Sequence, residues 1–114
     1  MWFLLILLLL PVLYIIFPPI MVCGDSMFPT YNDGDILIGC RFFKMKISSV
    51  YVFHPPLGEK YVVKRLTDCT DEGLYFEGDN KKISFDSRYY GCVERREIVA
   101  KCLFRIYHSK KGNS

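Results

Sequence analysis

From Met1 to Gly24 the chain carries no charged side chain, and this absence is its first constraint. Met1 to Val22 is almost wholly Leu, Ile, Val, Phe, Pro and aromatics. About 20 apolar residues cross the hydrocarbon core of a bilayer at ~1.5 Å rise per residue. Residues 1–22 are therefore expected to form one N-terminal transmembrane helix that anchors the chain. Pro11 would interrupt that helix, and Pro18-Pro19 would kink or end it near the far interface. Trp2 and Tyr14 are amphipathic rings of the kind found near headgroups. No Lys or Arg precedes the apolar run, and Pro18 to Cys23 offers no small-residue cleavage site. Both absences argue against a cleaved secretory leader.

Other absences narrow the chemistry. The five cysteines (Cys23, Cys40, Cys69, Cys92, Cys102) include no CxxC pair, so no zinc site, and no other metal or cofactor, is expected. Their odd number leaves at least one thiol free in a monomer, and the spacing assigns no pairing. Fifteen basic residues against 12 acidic ones make a mixed, solvated surface, not a nucleic-acid footprint. There is no internal repeat, no low-complexity linker and no amphipathic helix beyond the anchor. About 90 residues remain, enough for one modest core. They divide into a domain over 23–108 and a polar tail over 109–114, in which Lys110 and Lys111 are expected to be solvated, with contact to anionic lipid as the alternative.

What is present is a series of short β-like runs between turn signals. Ile36-Leu37-Ile38 follows Asn32-Asp33-Gly34-Asp35. Val50 to Phe53 ends at His54-Pro55-Pro56, and a second run from Lys60 to Leu66 resumes after Leu57-Gly58-Glu59. Leu74-Tyr75-Phe76 follows Asp71-Glu72-Gly73, and residues 78–91 are polar and loop-like. Ile98, Ala100, Cys102, Phe104 and Ile106 alternate with other residues, as in a long strand with one well-buried face. The expected fold is mainly β: a small antiparallel sheet or barrel behind the N-terminal transmembrane helix.

Few residues offer chemistry. Ser26, in Gly24-Asp25-Ser26-Met27, reads by itself as a turn residue whose hydroxyl caps the backbone. A serine becomes a nucleophile only with a base in hydrogen-bond reach. His54 and His108 lack an obvious partner carboxylate and read as solvated loop residues. Lys64 differs. Strand alternation puts it on one face with Val62 and Leu66, while Tyr61, Val63 and Arg65 take the other. Aliphatic neighbours desolvate an ammonium and lower its pKa, and a lysine near ~7–8 can serve as a general base. The competing reading is an edge lysine whose stem covers the sheet.

Three separated stretches decide between these readings. Residues 24–30 (GDSMFPT) resemble the nucleophile box Ser-Met-x-Pro-Thr of type I signal peptidases, the membrane-bound serine proteases that remove signal peptides. YVVKRL, residues 61–66, resembles the strand that carries their lysine base. Residues 78–91 (GDNKKISFDSRYYG) are similar to their long C-terminal box, and Asp33 to Ile38 also follows the nucleophile as in that family. The boxes occur in the family's order, from the anchor to about Tyr107.

The resemblance implies a mechanism residue by residue. Ser26 would be the nucleophile and Lys64 the neutral base, with Ser84 orienting the lysine amine. Asp79 would pair with Arg65 and Asp86 with Arg88, holding the loop near the catalytic pair. Val22, Met27, Tyr31 and Val63 would lie near shallow pockets that admit small side chains. Some relatives carry a serine two residues before the nucleophile that helps bind the oxyanion. Here that position is Gly24, so the Ser26 N–H is the one donor the sequence names. Lysine at position 64, where archaeal and endoplasmic-reticulum enzymes have histidine, resembles the bacterial or organelle type in a minimal form.

The implied function is removal of signal peptides from exported preproteins after small, Ala-x-Ala-like residues. The chain would sit in a cell or organelle inner membrane with the catalytic domain outside the cytoplasm. Its partners would be preproteins, the lipid bilayer and the secretion translocon, with no nucleic acid. Two alternatives are a maturation protease for a single precursor and an inactive, membrane-tethered peptide-binding module.

Overall fold

The computed structural model describes residues 1–56 and 61–110. The expected turn at Leu57-Gly58-Glu59, the run's start at Lys60, and the tail beyond Lys110, including Lys111, lie outside these residues. Helix α1 spans Trp2–Ile16. It ends because Pro18 and Pro19 supply no amide hydrogen, and the residue before a proline is pushed out of helical geometry. Phe17 accordingly sits at φ −121°, ψ 72°.

The first 22 residues are thus not one helix. The 15 residues of α1 rise only ~22 Å at ~1.5 Å each, against a hydrocarbon core of ~30 Å. Among the described residues, no helix is long and apolar enough to cross a membrane, which corrects the expected transmembrane helix. After Pro18 the chain turns into strand β1, Pro19–Met21, and Val22 is buried in the domain core. The apolar run continues past the helix, but after two consecutive prolines its last part joins the sheet.

Five further strands follow: β2 Ile36–Cys40, β3 Val50–Phe53, β4 Val62–Thr70, β5 Gly73–Glu77 and β6 Ile98–Tyr107. A short helix α2, Ser87–Tyr90, and a 3-10 turn, Arg95–Glu97, precede β6. The strands form one curled, wholly antiparallel sheet in the order β1-β2-β6-β3-β4-β5. The domain is therefore mainly β and antiparallel, a half-barrel.

Strand β3 lies at its centre, and all four of its residues are buried. Period-2 alternation sends Val50 and Val52 into one cluster with Ile20, Val22, Met27, Leu37 and Ala100. Tyr51 and Phe53 enter a second with Val62, Leu66, Leu74, Phe76 and Val93. Phe53 stacks on Phe76 with ring centroids 4.3 Å apart. Buried Tyr51 satisfies its hydroxyl by donating to the Lys44 carbonyl and accepting from the Lys46 N–H.

Strand β6 departs from expectation in its second half. Ile98, Ala100 and Cys102 are buried, whereas Phe104 and Ile106 are more than half exposed. Strand β3 pairs β6 only as far as Lys101, and beyond it β2 alone is alongside. Alternation identified the face but not the length over which anything covers it.

Candidate active site

Ser26 lies in the bend between β1 and β2. Gly24 opens that bend at φ +83°, a left-handed conformation that glycine adopts without a Cβ clash. Asp33 Oδ1 accepts the Gly24 N–H at 2.7 Å, tying the bend to the turn before β2. Lys64 sits in the first half of β4, where burial alternates: Val62, Lys64 and Leu66 are in and Val63 and Arg65 are half-buried. Lys64 is only 5 % exposed, and its Nζ lies 2.6 Å from Ser26 Oγ. The two side chains meet across 38 residues of sequence.

The polar loop from Gly78 to Gly91 clasps this pair. Asn80 donates its backbone N–H to the Ser26 carbonyl at 2.8 Å and its side-chain amide to the Asp25 carbonyl at 3.1 Å. Gly78 is wedged between the same Ser26 carbonyl and the Ser84 side chain, and a Cβ there would overlap both. That close approach is why glycine occupies the position.

Ser84, 3 % exposed, donates its hydroxyl to Asp86 Oδ2 at 2.6 Å and accepts the Gly78 N–H at 3.1 Å. A hydroxyl has one proton and two lone pairs, so Ser84 can take one further donor but give no further proton.

Two ion pairs frame the loop. Asp79 receives Arg65 bidentately, Nε to Oδ1 and Nη2 to Oδ2 at 2.8 Å each, and also the Thr30 hydroxyl. One carboxylate thereby joins the serine segment, the lysine strand and the polar loop. Burial raises the Asp79 pKa, but the Arg65 and Thr30 hydrogen bonds outweigh it and hold it below the usual range. Asp86 is fully buried and pairs with Arg88 Nε at 2.9 Å. Burial again raises its pKa, yet donors from Arg88, Ser84 and Gly78 bring it down to about 2.

A third carboxylate escaped sequence reasoning. Asp35, fully buried, accepts the N–H groups of Asn32 and Ser109 and Arg105 Nη1 at 3.0 Å. His108 Nδ1 is 3.4 Å away. Burial raises its pKa, but these donors overcome that and lower it. The sequence places Asp35 in a turn and in the Asp33–Ile38 stretch but assigns it no partner, because Arg105 and Ser109 lie 70 and 74 residues downstream. Of the two histidines, His108 thus lies on Asp35, while the His54 ring packs at a tilt against Tyr61. Arg41 was also missed: its N–H and Nε donate to the last helical carbonyls of α1, Ile16 at 2.9 Å and Ile15 at 2.6 Å. A cation at a helix C-terminus both fills orphan acceptors and meets the negative end of the dipole.

Ser26 and Lys64 open onto a cleft of about 760 Å³. Val22 and Val63 line it beside them, while Ile83 and Phe85 of the polar loop form another part of its wall. Met27 and Tyr31 are placed elsewhere: Met27 is fully buried in the core and Tyr31 packs against that core. Cys23 also lines the cleft. Cys102 lies within the core, where burial pushes its thiol up to about 12, and all five cysteines are unpaired thiols. Among the described residues no cluster of His, Cys, Asp or Glu could hold a metal ion.

A serine hydroxyl against a buried lysine amine, in a cleft of a small β-domain, has the layout of a hydrolase that works through a side-chain nucleophile. The family model described as signal peptidase, peptidase S26, matches residues 66–107. That segment, from the middle of β4 to the end of β6, is similar to the signal peptidase family, a family of serine peptidases. The match takes in the polar loop with Ser84 and Asp86, and begins two residues after Lys64. No curated protein gives a match.

Proposed function

We propose that this protein is a serine endopeptidase of Ser/Lys type that removes N-terminal signal peptides from exported preproteins. The observation that carries the reading is the 2.6 Å approach of Lys64 Nζ to Ser26 Oγ. Neutral Lys64 takes the Ser26 proton as Oγ attacks the scissile carbonyl, then passes it to the leaving amine. An acyl-enzyme on Ser26 results. Lys64 next deprotonates a water that hydrolyses the ester and releases Ser26.

Ser84 would orient the amine. Its proton is committed to Asp86, so it receives a lysine N–H and leaves the nitrogen lone pair for the Ser26 proton. The Ser26 N–H would serve the oxyanion. Gly24 offers no second donor, since its N–H is held by Asp33 and it has no side chain.

Substrate would lie extended in the cleft. Strands β1 and β4 are four antiparallel steps apart in the sheet, so both run the same way, toward Ser26 and Lys64. Strand β5 pairs with β4 only from Arg65 onward, leaving Val62 to Lys64 with an open backbone edge among the described residues. An extended peptide can add there as a strand. Val22 and Val63, close to Ser26, favour small side chains at the cut.

Helix α1 exposes apolar residues along its whole length, a surface suited to a lipid bilayer. The working location is the extracytoplasmic side of a cell or organelle membrane, near the translocon that delivers preproteins. The test incubates detergent-solubilised protein with a preprotein and compares Ser26→Ala and Lys64→Ala. Loss of cleavage in both is expected, and full cleavage by either would end the dyad assignment.

A further inference from the structure

The cleft is asymmetric in charge. Two basic residues line it, Lys64 and Arg41, and no Asp or Glu does so among the described residues. Lys64 belongs to the bond-breaking chemistry, and only in its neutral form. Arg41 has no role there. Its Nε is held by the Ile15 carbonyl, which fixes the guanidinium against the end of α1. The five donors of a guanidinium are rigidly arranged, so anchoring at Nε presents the Nη groups as a fork suited to a carboxylate.

The position along the cleft follows from the chain. Strand β1 runs from Pro19 toward Ser26, and the Gly39 N–H holds Pro18 at the Arg41 end. Pro18 to Gly24 spans up to ~20 Å at ~3.3 Å per extended residue, so Arg41 faces a substrate position roughly four to six residues from the bond cut at Ser26.

We propose that Arg41 is a specificity-determining residue that selects substrates with an acidic side chain four to six residues from the scissile bond and disfavours basic ones there. The inference rests on the cleft being the substrate cleft of the proposed protease. A cleft that carries the Arg41 guanidinium and no carboxylate among the described residues attracts one sign of charge.

The experiment uses the full chain in detergent and extended peptides of one sequence, each with Glu, Gln or Lys scanned over positions three to seven on either side of the cut. Wild type should prefer Glu over Gln, and Gln over Lys, by about 5-fold per step at one position, mostly in KM. Arg41→Gln should flatten this preference, and Arg41→Glu should invert it toward Lys. The inversion separates charge recognition from loss of the cap on α1. Binding of the same peptides to Ser26→Ala, followed by fluorescence anisotropy, should have the same charge order. Absence of cleavage by wild type with charge-ordered binding would sink the protease reading and keep Arg41. Equal handling of Glu and Lys peptides by wild type, or a charge order unchanged in Arg41→Glu, would overturn the inference.

Discussion

Asp35 and Asp86 are both fully buried, and they tie together different parts of the chain. Asp86 takes its donors from Gly78, Ser84 and Arg88, all within eight residues of itself. Asp35 takes Arg105 and Ser109 from 70 and 74 residues away, and Asn32 from three. One carboxylate shapes a loop, and the other joins the segment after Ser26 to the residues after β6. Both lose solvation on burial, and both recover it through several hydrogen bonds. A variant at Asp86 should therefore be felt first in catalysis, and one at Asp35 first in the fold.

The largest effect is expected for Asp35→Ala. It leaves Arg105 and the Ser109 N–H without their buried acceptor, and breaking such a pair costs about 3 kcal/mol. Urea denaturation should report that loss, while peptide cleavage by the folded fraction stays within about 3-fold. A variant equally stable but inactive would reverse the assigned roles.

Asp86→Ala frees the Ser84 hydroxyl to rotate and give its proton to the lysine nitrogen. Turnover should fall by about 100-fold, a range usual for disturbing a general base. The KM should change little, and Asp86→Asn should recover part of the rate. A purely structural Asp86 would instead lower stability and leave the kcat of folded protein intact.

Acid separates the comparison further. The Asp86 carboxyl titrates near 2 in the folded protein, below its ordinary 3.8. Its contribution to stability is therefore complete above pH ~4 and is lost as pH falls through about 2. Asp35 is lowered too and acts in the same direction. Urea midpoints between pH 6 and pH 2.5 should fall for wild type and fall less steeply for Asp86→Asn. Parallel slopes would remove Asp86 from the account.

The smallest effect is expected for Thr30→Val, which removes one hydroxyl from Asp79 while Arg65 still satisfies that carboxylate. About 1 kcal/mol of stability should be lost. A loss of several kcal/mol in thermal or urea unfolding would mean that Thr30, rather than Arg65, holds Asp79.

The same contrast explains what the sequence disclosed. Strand β3 was legible residue by residue, because four alternating apolar residues between turn signals leave little choice. Lys64 was legible through its aliphatic neighbours at i ± 2, and the Asp86 loop through a contiguous box. Asp35 was not, because nothing local distinguishes a turn aspartate from one awaiting Arg105. Strand β1 was hidden in an apolar run whose helix was expected to continue through it. The exposed half of β6 has the alternation of a buried strand, and only the short reach of β3 leaves it uncovered. Residues at 78–91 read as loop, yet four of them form α2, capped when the Arg88 N–H donates to Asp86.

The central claim is that Ser26 is a nucleophile because Lys64 removes its proton. The most direct measurement is intact-protein and peptide mass spectrometry after exposure to an acylating or phosphonylating serine probe at neutral pH. One adduct, located on Ser26 in wild type and absent from Lys64→Ala, is the predicted result. An adduct on another residue, or equal labelling of Ser26 without Lys64, would contradict it.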